Sequence, residues 1–380
     1  QGRVPIKLWL DRLDASTMEQ AEHLAQLPFV FSHVAIMPDA HVGYGMPIGG
    51  VMALRNVVIP NAVGVDIGCG MCAQRTSLTT VGRDQLKLIM AEVRRRIPLG
   101  FKHHRRPQPR DLMPPVHGTL RIVNQEYDRA LYQLGTLGGG NHFIEIQQGS
   151  DGHVWLMIHS GSRNLGYRVA NYYNKLAAEL NKRWKDAAPP SWQLAHLPFD
   201  SDIGQAYLRE MQFCVEFALA NRMLMMERLK EAVAAVFPGV AFDTFINIAH
   251  NYAASEVHFG ETVIVHRKGA TRAEKGELGI IPGSQGTPSY IVRGLGNPES
   301  FRSCSHGAGR RLGRKQAQRQ LSLEQEKKRL DALGILHTIR GVRDLDEAAG
   351  AYKDIGTVIA CQRDLVEVVV ELHPLAVIKG

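Results

Sequence analysis

Five short segments concentrate residue types that are costly to keep unless they bind something: Pro38 to Gly45 (PDAHVGYG), Gly64 to Gly70 (GVDIGCG), Gly138 to Glu145 (GGGNHFIE), Ile158 to Arg163 (IHSGSR) and Ala249 to Tyr252 (AHNY). They supply a carboxylate (Asp66), a thiol (Cys69) and three imidazoles (His142, His159 and His250), with Asp39 and His41 near by. Asp66 and Cys69 sit in one glycine-flanked turn, so both can face one ion. Mixed thiolate, imidazole and carboxylate donors suit a transition metal better than Mg²⁺ or Ca²⁺, which prefer oxygen shells. Five donors exceed the four of a tetrahedral structural zinc site, and a thiolate can bridge. The sharper expectation is therefore two metal ions sharing Cys69. One histidine alone would pass as a core residue; three in glycine-rich or polar loops do not. Cys72 makes a CxxC with Cys69, but no second CxxC exists, and Cys72 is read as core.

A second set reads as a cradle for phosphate. Ile281 to Gly286 (IPGSQG) and Ser305 to Arg310 (SHGAGR) present small residues whose backbone N–H groups can converge on anionic oxygens, with Arg310 and Arg311 adding charge. Neither matches the GxxxxGK[ST] phosphate loop. His306 is singled out as an imidazole inside such a loop. Nucleophilic attack on phosphorus, general acid–base work and plain phosphate binding all remain open to it on these residues alone.

These loops need strands and helices to hold them. Val51 to Leu54, Val154 to Ile158, Phe245 to Ile248, Thr262 to Val265 and Tyr290 to Val292 are rich in β-branched and aromatic residues and read as strands. Helical patterning marks Thr80 to Arg96, Ile203 to Phe237 and Ser322 to Leu333. Strands and helices do not alternate strictly, which predicts an α+β fold rather than a doubly wound sheet. One domain over residues 1–380 is expected, with a helical subdomain at about 170–237 whose Trp184, Trp192 and Met223 to Met226 serve packing. The basic, proline-rich stretch Lys102 to Gly118 reads as a mobile surface loop.

The composition fits that picture. The 380 residues are 44% apolar and 22% charged, the balance of a globular protein and not of a disordered, collagen-like or coiled-coil chain. No apolar run is long enough to span a membrane, and the first ten residues lack a secretory pattern, so a cytoplasmic protein is expected. Five scattered cysteines argue for free thiols over a disulfide framework. A formal charge of +8 favours an anionic partner.

The ordered set of motifs goes further. Asp39 to His41, Gly64 to Gly70, Gly140 to Glu145, His159 to Arg163, His250 to Tyr252, Arg267 to Gly269, Pro282 to Ser284, Gly294 to Asn297 and Cys304 to Arg310 together closely resemble the RtcB family of RNA-splicing ligases. The likeness runs from about Pro5 to Gly380. It implies a mixed or antiparallel β-sheet core around a central metal cleft, flanked by helices. It also implies a GTP- and Mn²⁺-dependent ligase that joins an RNA 2′,3′-cyclic phosphate or 3′-phosphate end to a 5′-hydroxyl end. By the resemblance, Asp66, Cys69 and His142 hold one Mn²⁺, Cys69, His159 and His250 hold the other, and His306 is guanylylated.

Asn141, His142, Phe143, Ile144, Glu145, His250, Asn251, Pro282, Gly283, Ser284, Gln285, Ser289, His306, Gly307, Ala308, Gly309, Tyr352 and Lys379 match positions around the guanylate in that family. Arg163 and Arg310 are expected to grip RNA phosphates, followed by Lys268 and His41. Gln285 stands where family members more often carry Met, and the 102–118 segment diverges. An archease-like activator is a conceivable partner. Two other classes stay on the table: a dinuclear metal phosphoesterase acting on cyclic phosphate ends, and a silent RNA-binding member.

Overall fold

A computed structural model describes residues 2–185 and 187–380. Two antiparallel-rich sheets carry the fold. The larger orders its strands Leu278–Ile281, Ser289–Gly294, Val366–Lys379, Phe143–Gly149, Val154–Ser160, Gly70–Thr76 and Phe242–Ala249, every neighbour antiparallel. Its first and last strands approach one another, so the sheet curls strongly. The second sheet runs Ile6–Leu8, Val30–His41, Ile48–Leu54, Glu261–Lys268 and Asn251–His258, with only the first pair parallel. Helices pack outside these sheets, giving the α+β class with mixed and antiparallel sheets that the sequence predicts.

The five strands expected from β-branched runs all exist, each a few residues longer than its apolar kernel. Other long strands fall outside those runs, although Val366–Lys379 opens on the β-branched stretch Val366 to Val370. Val30–His41 is broken by Pro38, Asp39 and two histidines, and Val366–Lys379 contains Pro374, where its pairing with Phe143–Gly149 slips by a residue. Phe143–Gly149 and Asn251–His258 mix polar and apolar residues.

The helix expected over Ile203 to Phe237 is Asp202–Val236. Ser201 caps it by accepting from the Gly204 N–H at 3.1 Å. Tyr207, Met211, Cys214, Phe217, Ala218, Met225, Leu229 and Val233 recur at helical spacing and are buried. Met225 and Met226 pack with Ile144, Ile146, Leu156 and Ile158 from the larger sheet and with Leu86, Ile89, Met90 and Val93 of the helix Arg83–Arg96, which is shorter at its start than expected. Met223 faces solvent instead. The helix Arg163–Asn181 packs on the long helix. Cys72 lies in the core as read, its Sγ 3.8 Å from the Arg222 carbonyl.

The 102–118 segment is irregular apart from one short turn at Arg110–Leu112, yet it is tethered. The His104 and Gln108 N–H groups donate to the carbonyls of Tyr132 and Leu131, and Met113 is buried. Among the described residues no helix is long and apolar enough to cross a membrane.

Candidate functional site

Strand register gathers the site. In the larger sheet Lys379 pairs with Phe143, Phe143 with His159, His159 with Met71 and Met71 with Ile248. One row across five chain segments thus brings Lys379, His159, Cys69 and His250 to the same end of the sheet. The ends of Val30–His41 and Glu261–Lys268 arrive from the other sheet and deliver Asp39, His41 and Lys268. Asn251 stitches the two together: its Nδ2 donates to the Asp66 carbonyl at 3.0 Å, and its Oδ1 accepts from the Gly269 N–H at 2.7 Å.

Between them lies a cleft of about 920 Å³, lined by Asp66, Cys69, His159, His250 and His306 together with Asn141, Glu145, Lys268, Arg310, Tyr352 and Lys379. His142, Ile144, Ser289 and Arg163 do not line it. His142 stands directly behind, on Cys69 and Asp66; Ile144 is core; and Ser289 Oγ accepts from the Gly283 N–H at 3.1 Å and so braces the loop.

Two donor groups form around one sulfur: Asp66, Cys69 and His142, and Cys69, His159 and His250, with the ligand atoms of each within 4.8 Å of one another. Cys69 Sγ is 3.5 Å from His142 Nε2 and 3.3 Å from His159 Nε2. In both histidines Nδ1 donates to a backbone carbonyl, Leu137 at 2.9 Å and Asn141 at 3.0 Å. In the neutral rings this leaves a lone pair on each Nε2 facing the sulfur, ready for a cation. Nδ1 of His250 is buried with no hydrogen-bond partner among the described residues.

An orphaned imidazole nitrogen beside a buried thiol fits a metal ligand. Burial pushes the Cys69 thiol well up, helped by the Asp66 charge, and pushes His159 and His250 well down. Asp66 falls to about 2 despite burial, through the hydrogen bond and attraction that a protonated His142, its Nε2 3.2 Å away, supplies. The neutral imidazoles of His159 and His250 beside an ionised carboxylate are ready to ligate, and a cation is what would hold Cys69 as a thiolate. The donor set suits transition-metal ions.

The imidazole of His306 has Asp39 as its partner. His306 Nδ1 lies 2.5 Å from Asp39 Oδ2, and the same oxygen accepts from the His306 N–H at 3.0 Å and the Gly307 N–H at 3.3 Å. Gly309, at φ +72°, lets the loop pass over Asp39, where a Cβ would run into the Asp39 carbonyl. Lys353 ties the carbonyls on either side, at 3.2 Å from Pro38 O and 2.6 Å from Ala40 O.

Glu347 was not legible at all. Its carboxylate accepts from Arg310 Nη1 at 3.1 Å and from the Tyr352 hydroxyl, and lies 3.3 Å from Arg314 and 4.0 Å from Lys379. Gln285 Nε2 donates to its carbonyl at 2.9 Å. Glu145, buried opposite, is raised to about 8 by burial against the pull of Lys379 and a hydrogen bond from Gln147. In its protonated form it can donate as well as accept.

The four expected RNA-gripping residues stand differently. Arg310 lines the cleft, already engaged with Glu347 and the Asp346 carbonyl. Arg163 adopts φ +58° at the start of its helix and has no carboxylate partner among the described residues; it donates to Thr136 Oγ1 at 3.3 Å and Gly100 O at 3.4 Å. Lys268 Nζ donates to the carbonyls of Tyr44 (2.5 Å) and Asn61 (3.0 Å), and burial lowers it to about 7. Burial lowers His41 to about 4, so it offers a neutral hydrogen-bonding ring, not a charge.

Behind the cleft, Asn221 and Arg222 of the long helix bind the loops that carry the donors. Asn221 holds the backbone of Gly135, Thr136 and Gly161 and the Ser160 hydroxyl; Arg222 holds the Gly68 and Ser160 carbonyls and Asn247. Nothing in their local sequence marks either residue.

The chain matches the family model described as tRNA-splicing ligase RtcB over residues 20–117 and 116–380. It is 39% identical to the RNA-splicing ligase RtcB of Escherichia coli strain K12, covering 99% of this chain and 97% of that protein. It is 32% identical to the tRNA-splicing ligase RtcB of Thermococcus kodakarensis (96% and 91% covered) and 33% identical to that of Nanoarchaeum equitans (99% and 95%).

Proposed function

The chain belongs to the RtcB family of tRNA-splicing ligases, and on that premise we propose that it is an RNA ligase joining a 2′,3′-cyclic phosphate or 3′-phosphate end to a 5′-hydroxyl end, with GTP as co-substrate and His306 as covalent nucleophile. The observation that carries this reading is the buried Asp39 carboxylate on Nδ1 of His306, in the same cleft as a shared-sulfur donor set. A ring whose Nδ1 proton is held by a carboxylate keeps its lone pair on Nε2, the form in which imidazole attacks phosphorus. Asp66, Cys69 and His142 would hold one divalent cation, Mn²⁺ in this reading, and Cys69, His159 and His250 the other; such ions neutralise phosphate charge and ease the departure of pyrophosphate.

His306 Nε2 forms a bond to the α-phosphorus of GTP as the bond to the pyrophosphate oxygen breaks, while Asp39 keeps the Nδ1 proton and balances the cationic ring. The small-residue loops at Pro282 to Gln285 and Gly307 to Gly309 cradle the guanylate phosphate; Phe143, Glu145, Tyr352 and Lys379 surround its base. Water opens a cyclic end to a 3′-phosphate. That phosphate takes GMP from His306 as the phosphorus–nitrogen bond breaks, and the 5′-hydroxyl then displaces GMP, leaving one phosphate in the junction. Arg310 and Arg163 are the cations for RNA phosphates, Arg310 exchanging its contact with Glu347 for the substrate.

Incubation with α-labelled GTP tests the reading. Acid-labile, base-stable label on the protein, absent from His306→Ala, together with GTP-dependent joining of the two ends, is the expected result. Opening of cyclic phosphate with no label would instead make the protein a metal phosphoesterase, and RNA binding with neither would make it a silent binder.

A further inference from the structure

An aromatic ring is left in solvent at the cleft although the backbone that carries it is fixed. Tyr44 is 71% exposed and lines the same cleft as His306 and the donor set, as do Val42 and Val65, 48% and 42% exposed. Isolated exposed apolar residues are ordinary on any surface. What separates Tyr44 from them is how tightly its loop is held. Gln20 grips Gly43 through both its backbone groups, donating to the carbonyl at 2.7 Å and accepting from the N–H at 3.1 Å. Lys268 Nζ and the Met46 N–H both donate to the Tyr44 carbonyl, at 2.5 and 2.9 Å. Gly45 turns the chain at φ +70° against the Gln193 carbonyl, where a side chain would clash.

The tethers come from a helix residue far back in sequence, from a strand end beside the donor set and from the loop at 193. They fix the backbone and leave the ring free. A rigid aromatic face on the wall of a cleft that holds arginines and small-residue loops has the two parts of a single-strand nucleic-acid site: cations for phosphate and a flat surface for a base. Ordering entropy has already been lost by the loop, so stacking on it costs only the ordering of the ligand.

We propose that Tyr44 is a stacking platform for an unpaired nucleobase next to the RNA ends being joined, in a cleft that Val42 and Val65 also line. This rests on the reading of the cleft as an RNA-ligase site and adds a subsite to it. A π-face accepts any base, so the platform contributes affinity without reading sequence. The loop stays in place when the ring is changed, because every tether is to backbone.

The test uses the full chain and single-stranded RNA with a 3′-phosphate or a 5′-hydroxyl and 2-aminopurine at the first or second position from that end. Tyr44→Ala, Tyr44→Leu and Tyr44→Phe are compared with the unaltered protein. Expected are quenching of 2-aminopurine in the unaltered protein and in Tyr44→Phe, loss of quenching in Tyr44→Ala, and a rise of about fivefold or more in the KM for RNA in Tyr44→Ala and Tyr44→Leu. Equal KM and quenching in Tyr44→Ala overturn the platform while leaving the ligase reading intact. Full rescue by Tyr44→Leu overturns stacking in favour of plain apolar contact, as would a protein partner that loses its binding in Tyr44→Ala while RNA does not. Labelling by GTP without any RNA binding or joining in the unaltered protein would remove the premise and the platform together.

Discussion

Asp39 and His306 lie far apart in sequence and meet through a single carboxylate oxygen: Asp39 Oδ2 takes the ring Nδ1–H at 2.5 Å and two backbone N–H groups of the same loop. Its other oxygen is buried with no hydrogen-bond partner among the described residues. One carboxylate therefore both folds the loop and sets the ring, and the two roles can be separated by experiment.

Asp39→Asn tests the charge. An amide can keep its oxygen on the three donors and turn its NH₂ into the vacant acceptor position, so loop and tautomer persist. What disappears is the negative charge that balances the ring as it bonds to phosphorus. Labelling of His306 at saturating GTP should slow on the order of a hundredfold, while the GTP concentration for half-maximal rate changes little. Rapid-quench labelling measures both, and an unchanged rate would leave Asp39 only a structural role.

How far the sequence reveals this site depends on where its residues sit. Asp66, Cys69, His142, His159, His250 and His306 stand in glycine-rich or polar segments at the ends of apolar runs, where a polar side chain has no packing reason to be, and that contrast shows in a single sequence. Asn221 and Arg222 sit in mid-helix as a single polar pair between Ala220 and Met223, which a helix could equally turn to solvent, and Glu347 lies in a charged stretch; only tertiary packing turns each into a hub. The fold divides the same way. Thr262 to Val265 announces its strand by composition, whereas Val30–His41 carries Pro38, Asp39 and two histidines that serve the site or bend the sheet, and those residues mask the strand pattern.

Arg222 carries a second prediction. Its Nη1 bridges the Gly68 and Ser160 carbonyls at 2.9 Å each, and its Nε meets Asn247 Oδ1 at 2.8 Å, so it spans the backbone beside Cys69 and His159. It is fully buried with no carboxylate partner among the described residues. Arg222→Met would strand buried acceptors and should cost about 3 kcal/mol by urea unfolding. Arg222→Lys keeps the charge but cannot span all three groups, and should recover stability better than metal affinity. Equal metal affinity in all three proteins would show that the long helix does not set the donor geometry.

Cys69 is the one donor common to both groups. Cys69→Ala should therefore lower bound Mn²⁺, measured after dialysis, from near two ions per chain to well below one, whereas Asp66→Ala should retain about one. Cobalt loading gives an independent reading, since a thiolate-to-metal absorption band should vanish in Cys69→Ala and persist in Asp66→Ala. Unchanged stoichiometry in Cys69→Ala would mean that the sulfur bridges nothing.

The strand that leads into His306 is anchored by a buried ion cluster, and this gives a pH prediction. Arg267 donates to Glu256 at 2.5 and 3.0 Å, to Ser303 Oγ at 2.9 Å and to the Phe301 carbonyl at 3.0 Å; His258 adds a contact to Glu256 at 2.9 Å. Burial alone would raise Glu256, but the hydrogen bond from His258 and the charge of Arg267 overcome it and bring the carboxyl from 4.5 down to about 2. A depressed carboxyl stabilises the folded state above its unfolded value, and that stability drains as pH falls from about 4.5 toward 2. The loss over that window should be on the order of 3 kcal/mol. In Glu256→Gln the protein should start less stable at pH 7, because Arg267 stays buried without its counter-charge, and should lose correspondingly less on acidification. Urea unfolding at stepped pH measures both slopes; identical slopes would show that the cluster does not anchor the His306 strand.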